Sequence, residues 1–432
     1  MSMEQSSIRI KFLGGCGEVG RVGVLIESPK GNKLLLDYGV SLTDEKPLFP
    51  ESIAPKELCA IFLSHAHLDH SGALPLIYTS RRVPLYTTTL TAKFSRLLIE
   101  DMLRLSGYYI PYEMADVKTM MRSVVPVKYG EEIVIAEDIC LKVINAGHIP
   151  GSAMALLEVG DYTILFTSDF NLIETQLLPP ADLGSLDLKR VDMVIMESTY
   201  ATTEHPERKQ CEKLFISSII EVMEEGGIAL VPAFSVGRSQ EILCILERYS
   251  FGYPITLDGM ARVASKILLD HLEFVKDKEL LKRALSNARW VMTRGDRRRA
   301  LKSSGVIVSP AGMLKGGAAL YYLQRIYKDR RNAIFLVSYQ IPGTPGRYLL
   351  ETGKFKFNDK EEKVKAKVAW FDFSSHSGRK ELLEFASMLG SGVKLILIHG
   401  EHEGSKALAE ELSELYDLDT YVPRMGEELR VC

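Results

Sequence analysis

Within the stretch FLSHAHLDHSG, residues 62–72, three histidines and an aspartate fall in six positions: His65, His67, Asp69 and His70. The chain has nine histidines in 432 residues, so such crowding is not what packing alone produces. Imidazole and carboxylate together suit Zn2+ or a similar transition ion, and a cluster without cysteine argues against a purely structural site. Two residues apart on an extended segment, His65 and His67 face the same side. Asp69 and His70 follow in a turn, within reach of a second, adjacent ion. Polar residues ending apolar runs elsewhere are candidates to complete the shell: His148 in NAGHIPGS, Asp169 in FTSDF and His399 in LIHGEH. Any one of these alone would read as a hydrogen-bonded residue at a strand end. Asp37 in LLLDYG is placed to orient a ligand rather than bind an ion itself.

These residues need strands to carry them. IRIKFLGG, RVGVLIES and NKLLLDYG alternate or run apolar and then break at turn residues, and CAIFLSHAHLDH is a buried strand that runs into polar ligands. Helical spacing appears in LPLIYTSRRVPLYTTTLTAKFSRLLIEDMLRLSG, and strands return in ICLKVINAGHIPGSAMALLEVGDYTILFTSDF. Around residue 182 a strand-then-helix rhythm begins: VDMVIMESTY then RKQCEKLFISSIIEVMEEGG, IALVPAF then VGRSQEILCILERY, GVIVSPAGML then GGAALYYLQRIYK. Such alternation predicts an α/β layer with a largely parallel sheet. Ligand-type residues lie on both sides of it, so the middle reads as an insert in a split first domain.

Composition sets the limits. With 46% apolar residues, 25% charged residues and a net charge of −3, the chain is an ordinary globular sequence with no overall bias toward polyanions. Cys16, Cys59, Cys140, Cys211, Cys244 and Cys432 are scattered, without a C-x-x-C pair, and read as reduced thiols of a cytoplasmic protein. No signal peptide and no membrane-spanning apolar run is expected.

Taken in order, HAHLDH with Asp37, His148, Asp169 and the late His399 resembles the metallo-β-lactamase fold. Beyond Asp169 the likeness narrows to the β-CASP branch of nucleases. Glu197 in ESTY matches its first additional motif, His376 in FSSHSG its second and His399 in LIHGE its third, while PAFSVGRSQE, SPAGMLKGG and SYQIPGTPGR resemble its insert. The likeness spans essentially the whole chain and is strongest to short archaeal relatives of the cleavage and polyadenylation factor nuclease, which lack the KH domains of longer members. It implies an α/β protein: a four-layer αββα sandwich in residues 1–181 and 369–432, with a β-CASP insert in 182–368.

The same resemblance implies two Zn2+ ions per chain, one held by His65, His67 and His148, the other by Asp69, His70 and His399, with Asp169 bridging. Two ions about 3.5–4 Å apart activate a bridging hydroxide and steady the charge of an in-line displacement at phosphorus. The leaving ribose oxygen needs a proton, for which His376 is the candidate, held by Glu197. The bland alternative for that pair is a buried ion pair. One departure stands out: many relatives have an acidic residue where this chain has Gly378.

For substrate, the insert is expected to form a second wall of a cleft suited to a polymer. Residues 281–302, LKRALSNARWVMTRGDRRRALK, hold eight Lys/Arg against one Asp, which either contacts phosphates or is a solvated helix face. Arg297 and Arg298 in that run, with Arg238, Lys315 and Arg347 in the glycine-rich loops, are the candidate RNA-binding residues. No G-K-[ST] follows those loops, so ATP binding is not indicated. Histidine at the third motif marks the RNA-processing members of the family. The expectation is a zinc-dependent ribonuclease of RNA processing or decay, cutting 5′→3′ from an end, internally, or both, with homodimers and processing-complex partners allowed by the resemblance. The competing readings are a non-catalytic RNA-binding subunit and a small-molecule metallohydrolase.

Overall fold

The computed structural model describes residues 7–42, 46–341, 343–358 and 360–431. Cys432, and Pro342 within the loop SYQIPGTPGR, lie outside them. The chain divides into two compact units.

The first unit gathers the described residues of Met1–Ile173, Pro180–Glu204 and Ser375–Cys432. It holds two seven-stranded sheets. In spatial order, one runs Glu428–Val431, Ile8–Gly14, Gly23–Glu27, Lys33–Leu36, Leu58–Phe62, Leu85–Thr88, Val124–Val127. The other runs Asp419–Tyr421, Lys394–Ile398, Met193–Glu197, Tyr162–Ser168, Ala153–Val159, Ile139–Asn145, Glu132–Ala136. Strand periodicity decides which side chains meet. Phe12, Val24, Leu36 and Phe62 from the first sheet pack with Leu141, Leu157, Phe166, Ile195 and Ile396 from the second. The alternate residues point outward and are covered by helices. Leu35, Ile61 and Leu85 meet Ile99 and Met102 of the helix Thr89–Ser106 and Val117 of Met114–Arg122. On the other side, Val194, Leu395 and Leu397 meet Leu382 and Phe385 of Arg379–Ser387 and Leu408 of His402–Tyr416. The result is the expected helix–sheet–sheet–helix sandwich.

The second unit comprises Glu174–Pro179 and His205–Ser374. Its six-stranded sheet is parallel throughout, in the order Arg289–Trp290, Ile255–Leu257, Gly305–Ser309, Ile228–Pro232, Ala333–Leu336, Lys367–Trp370. The central strands Ile228–Pro232 and Gly305–Ser309 are buried at every residue, as a parallel sheet covered on both faces requires.

The units part at 204/205 and 374/375, where 181/182 and 368/369 were expected. Residues 182–204 stay with the sandwich because Met193–Glu197 pairs in parallel with both Tyr162–Ser168 and Lys394–Ile398. Conversely, 174–179 goes to the insert because Glu241, on the helix Arg238–Arg248, accepts hydrogen bonds from the backbone N–H of Gln176 and Leu177.

Candidate metal and catalytic centre

All seven candidate ligands lie in the first unit, His65, His67, His148, Asp169 and His399 just beyond strands and Asp69 and His70 on the short helix Leu68–Ser71. Lys33–Leu36 delivers Asp37, Leu58–Phe62 delivers His65 and His67, Tyr162–Ser168 delivers Asp169 and Lys394–Ile398 delivers His399. Asp37, Ser168 and His399 have φ of 54°, 49° and 53°, a left-handed conformation that costs a non-glycine residue energy. It ends each strand sharply and turns the side chain inward. The segment carrying Asp69 and His70 is fastened to the one after Asp37, where Tyr38 N–H donates to His70 O, and to the one before Gly23–Glu27, where Val22 N–H donates to Asp69 O. Gly39 permits this approach, since a Cβ there would lie 1.6 Å from the Asp69 carbonyl oxygen.

Asp169 sits at the middle, 2% exposed. Its Oδ2 lies 3.5 Å from His65 Nε2 and 3.6 Å from His148 Nε2, while its Oδ1 lies 3.3 Å from His70 Nε2 and 3.3 Å from His399 Nδ1. The two oxygens thus divide the histidines into two sets. His67 Nδ1 is 3.1 Å from His148 Nε2 on the Oδ2 side, and Asp69 Oδ2 is 3.4 Å from His399 Nε2 on the other. Donor atoms of His65, His67, His148 and Asp169 lie within 4.8 Å of one another, as do those of His70, Asp169 and His399.

Outer partners fix which nitrogen of each ring faces inward. His70 Nδ1 donates to Asp37 Oδ2 at 2.8 Å, and His148 Nδ1 donates to the Ser375 carbonyl at 2.8 Å. Ser64 Oγ spends its hydrogen on Asp37 and lies 3.1 Å from His65 Nδ1, so it accepts from that ring. Thr199 Oγ1 is 3.0 Å from His399 Nδ1. The inward atoms His65 Nε2, His70 Nε2 and His399 Nε2 are buried without a hydrogen bond, as is Asp169 Oδ1. Native proteins rarely leave buried polar atoms so, and three converging imidazole nitrogens around a carboxylate fit divalent ions of the zinc type.

Burial pushes the imidazoles of His65 and His148 well below the ordinary histidine range and that of His67 down to about 4. They are therefore neutral, the form that binds metal. Burial works the same way on His70 but is outweighed by the Asp169 charge and by the hydrogen bond to Asp37. The neighbouring histidines hold Asp169 far below the usual carboxylate range against its burial.

Beside this cluster, Glu197 and His376 form a pair. His376 Nδ1 donates to Glu197 Oε2 at 2.8 Å, and Glu197 Oε1 accepts from Phe170 N–H at 2.8 Å. His376 Nε2 points toward the centre, 3.9 Å from Asp169 Oδ2. Burial lowers the His376 pKa, but the charges of Glu197 and Asp169 outweigh it and raise the value to about 9. Gly378 has become the N-cap of the helix Arg379–Ser387, its N–H bound by Glu381, and is not part of the cluster.

Ser64, Ser168, Thr199 and the Ser375 carbonyl were not singled out from sequence. Serines and threonines beside ligands carry no pattern of their own; only their positions next to HAHLDH, SDF, ESTY and FSSH could have drawn attention.

The candidate RNA-binding residues are dispersed over the second unit. Arg238 is buried at the start of its helix, at 8% exposure, and Arg297 is held by Asp258. The first offers no solvent-facing charge, and the charge of the second is paired. Lys315, Arg298 and Arg347 are exposed, the last paired with Glu351. Among the described residues no helix is long and apolar enough to cross a membrane.

Residues 17–218 match the metallo-beta-lactamase superfamily, 239–349 the Beta-Casp domain, and 361–423 the Zn-dependent metallo-hydrolase RNA specificity domain. The chain is 41% identical to "RNase aCSPSF2" of Saccharolobus solfataricus, over 99% of this chain and 86% of that one. It is 38% identical to "Probable RNase MJ4" of Methanocaldococcus jannaschii, over 98% and 100%. It is 33% identical to "Transcription termination factor FttA" of the same organism, over 98% and 72%. A crystal structure of a protein of unknown function from Enterococcus faecalis shares the fold, with a TM-score of 0.65 at 15% identity over 98% of this chain and 100% of that one.

Proposed function

The chain belongs to the β-CASP family of metallo-β-lactamase-fold hydrolases, together with archaeal RNases and FttA, and we propose that it is a zinc-dependent ribonuclease acting in RNA processing or decay. One observation carries this reading: two sets of inward-facing ligand atoms share Asp169, with the Glu197–His376 pair opening onto the same carboxylate. His65, His67, His148 and Asp169 would hold one ion, and Asp69, His70, His399 and Asp169 the other. When bound, such a pair of ions activates water as a nucleophile and neutralises charge on the phosphoryl oxygens.

The chain's own residues do the rest. Asp37, Ser64, Thr199 and the Ser375 carbonyl engage the Nδ1 atoms, which leaves each Nε2 as the nitrogen that would face an ion. His376, with Nδ1 engaged by Glu197, carries its transferable proton on Nε2 and donates it to the leaving ribose oxygen as the P–O bond breaks. Glu197 cannot turn away, because the Phe170 N–H holds its other oxygen.

The test uses purified, metal-loaded protein and one 5′-monophosphorylated RNA labelled separately at each end. Early mononucleotides from the 5′ label identify a 5′→3′ exonuclease, and discrete internal fragments an endonuclease. RNA left intact with either a 5′-phosphate or a 5′-hydroxyl overturns the reading. Intact RNA that is nevertheless bound would favour a non-catalytic RNA-binding subunit, and turnover of lactam or thioester compounds alone would favour a small-molecule hydrolase.

A further inference from the structure

The second unit carries a basic surface that the reaction does not use. Its anchor is Asp258, at 0% exposure, just beyond the strand Ile255–Leu257. Arg297 grips it with two nitrogens, Nε at 2.6 Å from Oδ2 and Nη2 at 3.2 Å from Oδ1, and Tyr322 donates its hydroxyl to it at 2.9 Å. This fastens the short arginine-rich helix Arg294–Ala300 against the helix Gly317–Ile326. On that helix the Tyr321 ring carries the Arg325 guanidinium 3.7 Å from its centroid and the Arg297 guanidinium at 5.5 Å. From a third segment, Arg262 reaches Met292, a side chain left 72% exposed.

Around this anchor Arg289, Arg294, Arg298, Lys302 and Arg325 are exposed and make no ion pair with a carboxylate among the described residues; Arg299 pairs with Asp296. In a chain of net charge −3, the segment 289–302 together with Arg325 thus concentrates unneutralised basic groups. Their number suits a polyanion. Their kind suits RNA, since guanidinium forks bind phosphate with two parallel hydrogen bonds and a stacked guanidinium plane receives an unstacked base. The buried Asp258 clamp holds the short helix in place beforehand, so binding does not have to order it.

We propose that this arginine–tyrosine surface is a second RNA-binding site, taking single-stranded RNA through phosphate contacts at Arg294 and Arg298 and base stacking at Arg325 on Tyr321. It rests on the ribonuclease reading for its choice of RNA. Arg297, singled out from sequence as an RNA contact, is instead a positioning residue of this surface.

The experiment measures binding of a fluorescent, phosphorothioate-linked oligouridine RNA to the full-length, metal-loaded protein across a range of salt concentrations. Replacing Arg294, Arg298 and Arg325 together by glutamine is expected to weaken binding about tenfold to a hundredfold and to reduce the log K against log salt slope by about 2. Tyr321→Leu is expected to weaken binding while leaving that slope unchanged, because it removes the stacking platform and no charge. Parent protein that binds with the triple variant indistinguishable from it overturns this site and leaves the ribonuclease reading standing. Parent protein that neither binds nor cuts RNA overturns both. Polyglutamate displacing the RNA as effectively as unlabelled RNA does overturns the assignment in favour of an acidic protein partner.

Discussion

Two buried polar clusters in this molecule are built to opposite plans. In the insert, Glu241 and Glu212 are 2% and 1% exposed. Glu241 is answered by Arg208 and by the backbone of Gln176 and Leu177; Glu212 is answered by Gln176 Nε2 and the Tyr249 hydroxyl. Charge is closed within the protein, with Arg208 Nε, which lacks a hydrogen bond, 3.5 Å from Glu212 Oε1, and the cluster's work is to hold residues 174–179 in the insert. In the sandwich, His65, His70 and His399 are hydrogen-bonded through Nδ1, while His65 Nε2, His70 Nε2, His399 Nε2 and Asp169 Oδ1 lack a hydrogen bond. Burial of polar atoms by itself therefore separates nothing; incomplete satisfaction with convergent geometry does.

That contrast can be broken at either cluster. The largest effect is expected at Asp169→Asn, which keeps the shape but removes the charge both ligand sets share. Cleavage should fall by at least about a thousandfold, with bound metal lost, as read by RNA turnover alongside elemental analysis. Glu241→Ala leaves Arg208 buried and two backbone N–H groups unanswered. It should destabilise the protein by roughly 3–5 kcal/mol in urea unfolding while metal per chain stays the same. Loss of metal in that variant would erase the distinction drawn here.

Smaller is the effect of Asp37→Asn, chosen because asparagine tolerates a φ of 54°. It weakens the hold on His70 Nδ1 and should lower metal affinity about tenfold to a hundredfold in competition with a chromophoric chelator. Unchanged affinity would remove Asp37 from the account. The smallest is a titration. In protein stripped of metal, the His376 ring should titrate by NMR near pH 9, and Glu197→Gln should bring it back toward the ordinary histidine range. Because the folded value is raised, this pair's stabilisation is fully present below the unfolded histidine value, about 6.5, and is lost as pH rises through about 9.

The cluster was legible in sequence because most of its candidate ligands follow apolar runs, and strand ends are where a sandwich brings such residues together. His65, His67, Asp69 and His70 announce themselves by spacing, and the strand-end positions of His148, Asp169 and His399 follow from the pattern. Less was legible where the deciding partner is distant in the chain and ordinary in type. Nothing marks Asp258 as the partner of Arg297 across 39 positions, so Arg297 read as an RNA contact. Arg238 carries a charge that sequence patterning assigns to the surface, yet the helix start it occupies is buried. The unit boundary at 204/205 was missed because Met193–Glu197, buried throughout, looks like the strand opening an α/β layer, whereas its pairing puts it in the sandwich.

That pairing has a consequence during synthesis. Translation delivers the chain from its N-terminus, so Met193–Glu197 is made long before Lys394–Ile398, the neighbour it needs on one side. Until the whole insert has been produced, the nascent sandwich ends in an apolar strand with an open edge, a ready template for unwanted pairing. His65, His67, His148 and Asp169 have by then all emerged, but His399 arrives only on the strand that closes the edge. Vectorial synthesis thus delivers the last parts of the candidate centre late: the Ser375 carbonyl that holds His148 and the candidate ligand His399 both arrive only after the insert, with the strand that seals the sheet.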